Sequence, residues 1–204
     1  MSVFEEIAVS HAEILGVGFD SLIKKNKLWV ISKLKIDILL QLNLDKEYTL
    51  KTYIIDRGKF DCDRHFEIIS EDKIFVRAVY NWCLIDTMTR KLSSFESIDY
   101  PVPIRQIKDS TLKLNKFDFD NLNNQADFIV DKNCLDNNSH MNNKVYGTLI
   151  EQFFNRNFKQ IIINFDHEAK LNDEIKLYYS NEENQFKIIA KIKNDICFCS
   201  LVTF

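Results

Sequence analysis

The chain can be laid over itself. The stretch LKIDILLQLNLDKEYTL, from Leu34, aligns with IIINFDHEAKLNDEIKL, from Ile161. Ile36 then falls on Ile163, Ile38 on Phe165, Leu44 on Leu171, Glu47 on Glu174 and Leu50 on Leu177. A repeated hydrophobic pattern asks both halves to bury the same face, so the fold is expected to hold two similar units. Each half supplies one amphipathic helix and several antiparallel-type strands, which makes the class α+β.

In the first half, Phe4, Ile7, Ala8, His11, Ala12 and Leu15 recur at helical spacing, and Gly16 stops the pattern. Strands are expected over residues 28–40, 47–56, 63–70 and 73–85. In the second half, a strand over 126–133 precedes a helix with Val145, Tyr146, Leu149, Ile150, Phe153 and Phe154 on one face. Strands over 159–168, 174–181, 185–193 and 195–203 follow. Residues 101–125 are mixed and polar, carry Pro101 and Pro103, and end in NLNNQ. They read as a linker between modules spanning 1–100 and 126–204.

One long helix beside a bent antiparallel sheet, twice over, fits a tandem (double) hot dog fold. A plain α+β sandwich is the alternative. The strand before the second helix has no counterpart in the first half, where the helix begins almost at Met1. Either the true start lies upstream or an edge strand has been lost, and a lost strand would leave its neighbour's backbone groups unpaired.

Composition narrows the function classes. With 46% hydrophobic residues and 16 Phe, the 204-residue chain can bury a sizeable core. A net charge of −3 gives no nucleic-acid footprint. No apolar run approaches the roughly 18 residues of a membrane span. Acids occupy the N-terminal stretch MSVFEEIAVSHAEIL where a secretory signal would carry bases. Cys62, Cys83, Cys134, Cys197 and Cys199 form no C-x-x-C pair and read as free thiols in a reducing cytoplasm.

The densest chemical signal is LDNNSHMNNKVY, Leu135 to Tyr146. Asp136, Asn138 and His140 stand two apart, so an extended backbone turns all three side chains one way. Asn142 or Asn143 can then cap the helix that follows. A carboxylate, an amide, an imidazole and the free N–H groups of a helix start are the parts needed to hydrolyse an acyl bond with water. A polar loop ending in an Asn cap is the plainer reading of the same residues.

The stretch CLDNNSHMNNKVY resembles the signature of the acyl-acyl-carrier-protein thioesterases, the double hot dog enzymes of plants and bacteria. NWCLIDTMTRKL resembles the family's end of the first module, with Trp82, Asp86, Thr89 and Arg90 in place. HAEILGVG and LWVISKLKIDI resemble its first helix and the strand after it. The resemblance covers nearly the whole chain apart from the first strand. It implies hydrolysis of acyl-acyl carrier protein to fatty acid and carrier protein in fatty acid biosynthesis. It also implies catalytic roles for Asp136, Asn138 and His140, and for Glu168 as a glutamate on the strand after the second helix. Plant members carry a Cys after that Glu, and here the position is Ala169. This departure argues against a Cys nucleophile and leaves a carboxylate or activated water. Cys134 stands where the family often has a second Asp.

The base for water is then Glu168 or Asp136, with His140 orienting water or protonating the leaving thiolate. No cofactor or metal is expected, since His140 and His167 lack companions at ligand spacing. Gln41 falls opposite Glu168 in the repeat, and the first half has no D-x-N-x-H. One module is therefore expected to keep the chemistry and the other to shape the acyl pocket. His11, His65, Trp29 and Trp82 are expected to be structural. Lys24, Lys25 and Lys27 are expected as a solvated loop or as a docking point for an acidic carrier. The alternatives are an acyl-CoA thioesterase and a non-catalytic acyl-binding protein. A monomer and a homodimer both fit.

Overall fold

The computed structural model describes residues 2–102, 121–136 and 138–204. These residues form two compact units, one on each side of the undescribed segment 103–120. The linker expected over 101–125 lies mostly outside the described residues, and its last two residues already belong to a strand.

The first unit begins with α1 (Ser2–Ile14), a short α2 (Phe19–Ile23) and β1 (Lys27–Ile38). Then come β2 (Thr49–Arg57), β3 (Asp61–Ser70) and β4 (Lys73–Asp86). Its strands lie in the order β2-β3-β4-β1, with antiparallel pairing throughout. Gly16 closes α1 at φ 74°, where a Cβ would be strained. Its N–H reaches Glu13 O at 3.0 Å, and Val17 N–H reaches Ala12 O at 3.0 Å, the paired bonds of a glycine-terminated helix. Phe4, Ala8 and Ala12 form the buried face of α1. The ring of Phe4 packs on Phe66 of β3 at 5.0 Å and on Tyr80 of β4 at 6.0 Å, so the helix lies on the sheet.

The second unit holds β5 (Asn124–Ile129), α3 (Asn143–Glu151), β6 (Gln160–Phe165), β7 (Glu174–Asn181), β8 (Gln185–Ile192) and β9 (Asp195–Thr203). Its strands lie in the order β6-β9-β8-β7-β5, again antiparallel. Tyr146, Leu149 and Ile150 are the buried face of α3, and Tyr146 packs edge-on against Phe165 of β6 and Phe198 of β9. Each unit is thus a helix laid on an antiparallel sheet, the hot dog arrangement. The two orders superimpose as β1-β4-β3-β2 on β6-β9-β8-β7, which is the internal repeat seen in three dimensions. Among the described residues β2 has one strand neighbour, β3, whereas its counterpart β7 has two, β8 and β5.

Three boundaries differ from expectation. The helix expected to reach Phe154 ends at Glu151, and Phe153 and Phe154 pack instead on Phe186 of β8 at 6.0 and 5.5 Å. Strand β5 spans Asn124–Ile129 and ends before a 3-10 turn, Lys132–Cys134, that Asp131 caps. Strand β6 ends at Phe165, so Glu168 is not on a strand but in the segment leading to β7.

Candidate active site

The Asp136–Asn142 loop holds its shape through one carboxylate. Asp136 Oδ1 accepts the backbone N–H of Asn138 at 2.8 Å and that of His140 at 3.1 Å. The backbone N–H of Asp136 donates to His140 O at 2.8 Å, and Ser139 sits at φ 63° to complete the tight turn. The loop therefore curls around Asp136 and is not extended.

Two further contacts tie this loop to the segment after β6. Met141 N–H donates to Ala169 O at 2.8 Å, and His140 forms an antiparallel bridge with Lys170. Side chains flanking such a bridge meet, and His140 Nε2 lies 3.2 Å from Glu168 Oε2. The imidazole is 20% exposed and the carboxylate 39%, so water reaches both. Asn142 caps α3 by accepting Lys144 N–H at 3.0 Å on its side-chain oxygen. This leaves the amide of Asn143, the first residue of the helix, without a bond to described residues and at the positive end of its dipole.

Of the four expected site residues, the structure joins His140 and Glu168 directly. Asp136 contacts the pair through the backbone of His140. Asn138 bonds through its main chain, and its side chain is exposed. The Ala169 methyl group is fully buried beneath the site. Cys134 is buried too, its Sγ 3.5 Å from Asp131 Oδ1, and burial raises its pKa above the ordinary thiol value. His167 faces away, with Nδ1 2.8 Å from Ile196 O. No group of His, Cys, Asp and Glu among the described residues is arranged to hold a metal ion.

In the first unit an apolar cavity of about 170 Å³ opens between α1, α2 and the sheet. Trp29 and Trp82 both line it, so they are wall residues and not purely core as expected. Of the three lysines, Lys27 pairs with Asp86 at 2.8 Å and Lys25 with Asp99 at 3.6 Å, so two of the three are held in ion pairs.

Residues 1–98 match the acyl-ACP thioesterase N-terminal domain. The first unit is thus similar to that family's N-terminal domain. The match covers the first unit, whereas the His140–Glu168 pair stands in the second. Whole-chain similarity comes from solved structures. An acyl-ACP thioesterase from Bacteroides thetaiotaomicron is 22% identical with a TM-score of 0.77, covering 100% of this chain and 87% of its own. The 12:0-ACP thioesterase from Umbellularia californica is 18% identical with a TM-score of 0.83, covering 100% of this chain and 87% of its own. At such identities the likeness is one of fold, and it extends over both units. No curated protein matches the sequence.

Proposed function

We propose that this chain hydrolyses acyl-acyl carrier protein to a free fatty acid and carrier protein, in the cytoplasm and as part of fatty acid biosynthesis. The observation that carries the reading is the 3.2 Å contact between His140 Nε2 and Glu168 Oε2, set beside the start of α3. Glu168 is the general base. One oxygen of Asp136 already receives two backbone amides, so Asp136 shapes the loop, and Glu168 is the carboxylate that faces the imidazole.

A water held between Glu168 and His140 loses its proton as its oxygen attacks the thioester carbon. The oxyanion that forms meets the Asn143 amide at the helix start. His140 carries the proton to the departing sulfur, so the C–S bond breaks, a thiol leaves and the acid remains. Asn138 lies at the rim, where its exposed amide positions the carbonyl or the water. Ala169 and buried Cys134 leave water as the nucleophile. The first unit shapes the acyl pocket, and its cavity is the room available there for an alkyl chain.

Carrier protein is the favoured donor because the matched domain is that of acyl-ACP thioesterases. Hydrolysis of one acyl chain presented on carrier protein and on CoA tests this. A higher kcat/KM on the carrier is expected. Equal or higher turnover on CoA would make the chain an acyl-CoA thioesterase, and no turnover on either would leave it a binding protein.

A further inference from the structure

The cavity of the first unit contains a charge that no described wall residue neutralises. Along β3 the burial alternates, and the inward positions are Cys62, Arg64 and Phe66. Arg64 thus occupies a core position and is only 5% exposed, yet it lines the cavity. Its Nη1 donates to His11 Nδ1 at 2.7 Å and to Thr52 Oγ1 at 3.4 Å. Arginine can only donate, so His11 accepts on Nδ1 and is a neutral partner. Burial, and then the nearby guanidinium, lower the pKa of His11, which agrees with that role.

No carboxylate pairs with Arg64 among the described residues. Asp61 and Asp63 are its strand neighbours, but alternation sends them to the other face, where both accept from Asn81 Nδ2. Besides His11, the ionisable groups that act on the guanidinium are Tyr100 and Cys62. Burial pushes the thiol up to about 12 and the phenol higher still, so neither supplies negative charge. Nε and Nη2 of Arg64 donate to no protein acceptor among the described residues. A buried cation with donors to spare is costly unless an anion meets it.

We propose that this cavity binds an aliphatic monocarboxylate, its carboxylate on Arg64 and its alkyl tail against Ala8, Ala12, Leu22 and the two tryptophans. The proposal rests on the reading of the cavity as room for an alkyl chain and adds a polar end to it. The free acid, product class of the reaction above, is the ligand. The guanidinium fork suits a carboxylate and rejects an ammonium group.

The protein has 2 Trp, and both line the cavity, so intrinsic fluorescence reports on it without any thioester or turnover. Octanoate, octanol and octylammonium are titrated against the whole chain. Octanoate is expected to shift the emission saturably and to bind at least about tenfold more tightly than octanol, the size of one charge-assisted contact. Octylammonium is expected not to bind. Arg64→Met, which keeps length and removes charge, should bring octanoate down to the affinity of octanol. Octanol binding as tightly as octanoate in the unaltered protein would overturn the carboxylate site while leaving the alkyl pocket standing. No saturable change with any of the three would overturn both. The comparison within the unaltered protein decides the matter even if Arg64→Met does not fold.

Discussion

At the scale of single residues, the two carboxylates near His140 are separable by experiment. Glu168→Gln keeps shape and removes basicity, and His140→Ala removes the imidazole. Each is expected to lower kcat by about 10²–10⁴, and the double variant to cost far less than the product of the two, as groups acting together do. Steady-state rates on acyl carrier protein, with circular dichroism to establish folding, check this. A folded Glu168→Gln protein with near-normal kcat would remove Glu168 from the mechanism. Asp136 should behave differently, because its Oδ1 accepts two backbone N–H groups. Asn keeps that oxygen and Ala does not, so Asp136→Asn should retain much more activity than Asp136→Ala. The reverse order, or equal loss, would mean that the Asp136 charge is used in the reaction. Thiol reagents give a third handle. All five cysteines are buried, and burial pushes Cys62 and Cys197 up to about 12, so few thiolates form at neutral pH. Iodoacetamide near pH 8 should leave activity largely intact; stoichiometric inactivation that Cys134→Ser abolishes would contradict water as nucleophile.

At the scale of elements, helix and strand ends place the site, and their caps can be tested. Asn142 caps α3 and sets where the amide of Asn143 points. Asn142→Ala should lower stability by about 1 kcal/mol, with Asn142→Ser or Asn142→Asp restoring most of it. Urea denaturation measures the difference. In the first unit the end of β4 is held by Asp86. Its carboxylate takes Lys27 at 2.8 Å and the amides of Met88 and Thr89 at 3.1 and 2.8 Å. The Lys27 contact first, and then the Thr89 amide, hold its pKa well below the carboxylate range. A depressed folded-state value stabilises above the unfolded pKa of about 3.9 and loses that contribution as pH falls below it. Asp86→Asn should therefore lower Tm at neutral pH, and the gap should close in strong acid. A gap that stayed constant with pH would point to lost packing and not to charge.

At the scale of the whole molecule, one strand order is used twice and only one copy carries the Asp136–His140 loop. Gln41, the repeat partner of Glu168, lies exposed in the loop after β1. Gln41→Ala is accordingly expected to leave kcat unchanged and to act, if at all, on substrate preference. A large fall in kcat would give the first unit a direct part in the chemistry. Arg64 marks the other difference between the copies. Its register equivalent inside the second sheet is apolar, since the inward residues of β8 include Phe186, Ile188 and Ala190. The two units share one strand order and differ in the residues at inward positions.

The amino-acid sequence by itself determined the class, the repeat and nearly every element, because hydrophobic period is a local property and survives in the string. The spacing of Phe4, Ala8 and Ala12 marks α1, and β7 lies where its alternation predicts. The motif around His140 was legible for the same reason, as was an Asn cap at 142 or 143, and the structure places it at Asn142. Only tertiary structure decided which side chains meet. Glu168 reaches His140 because Met141 bonds to Ala169 and His140 bridges Lys170, contacts between segments far apart in the chain. Asp136 turned inward because backbone amides compete for its oxygen, and no spacing rule foretells that. Arg64 stood in plain alternation between Cys62 and Phe66, but that no carboxylate among the described residues pairs with it emerged only from the fold, which turns Asp61 and Asp63 to the other face.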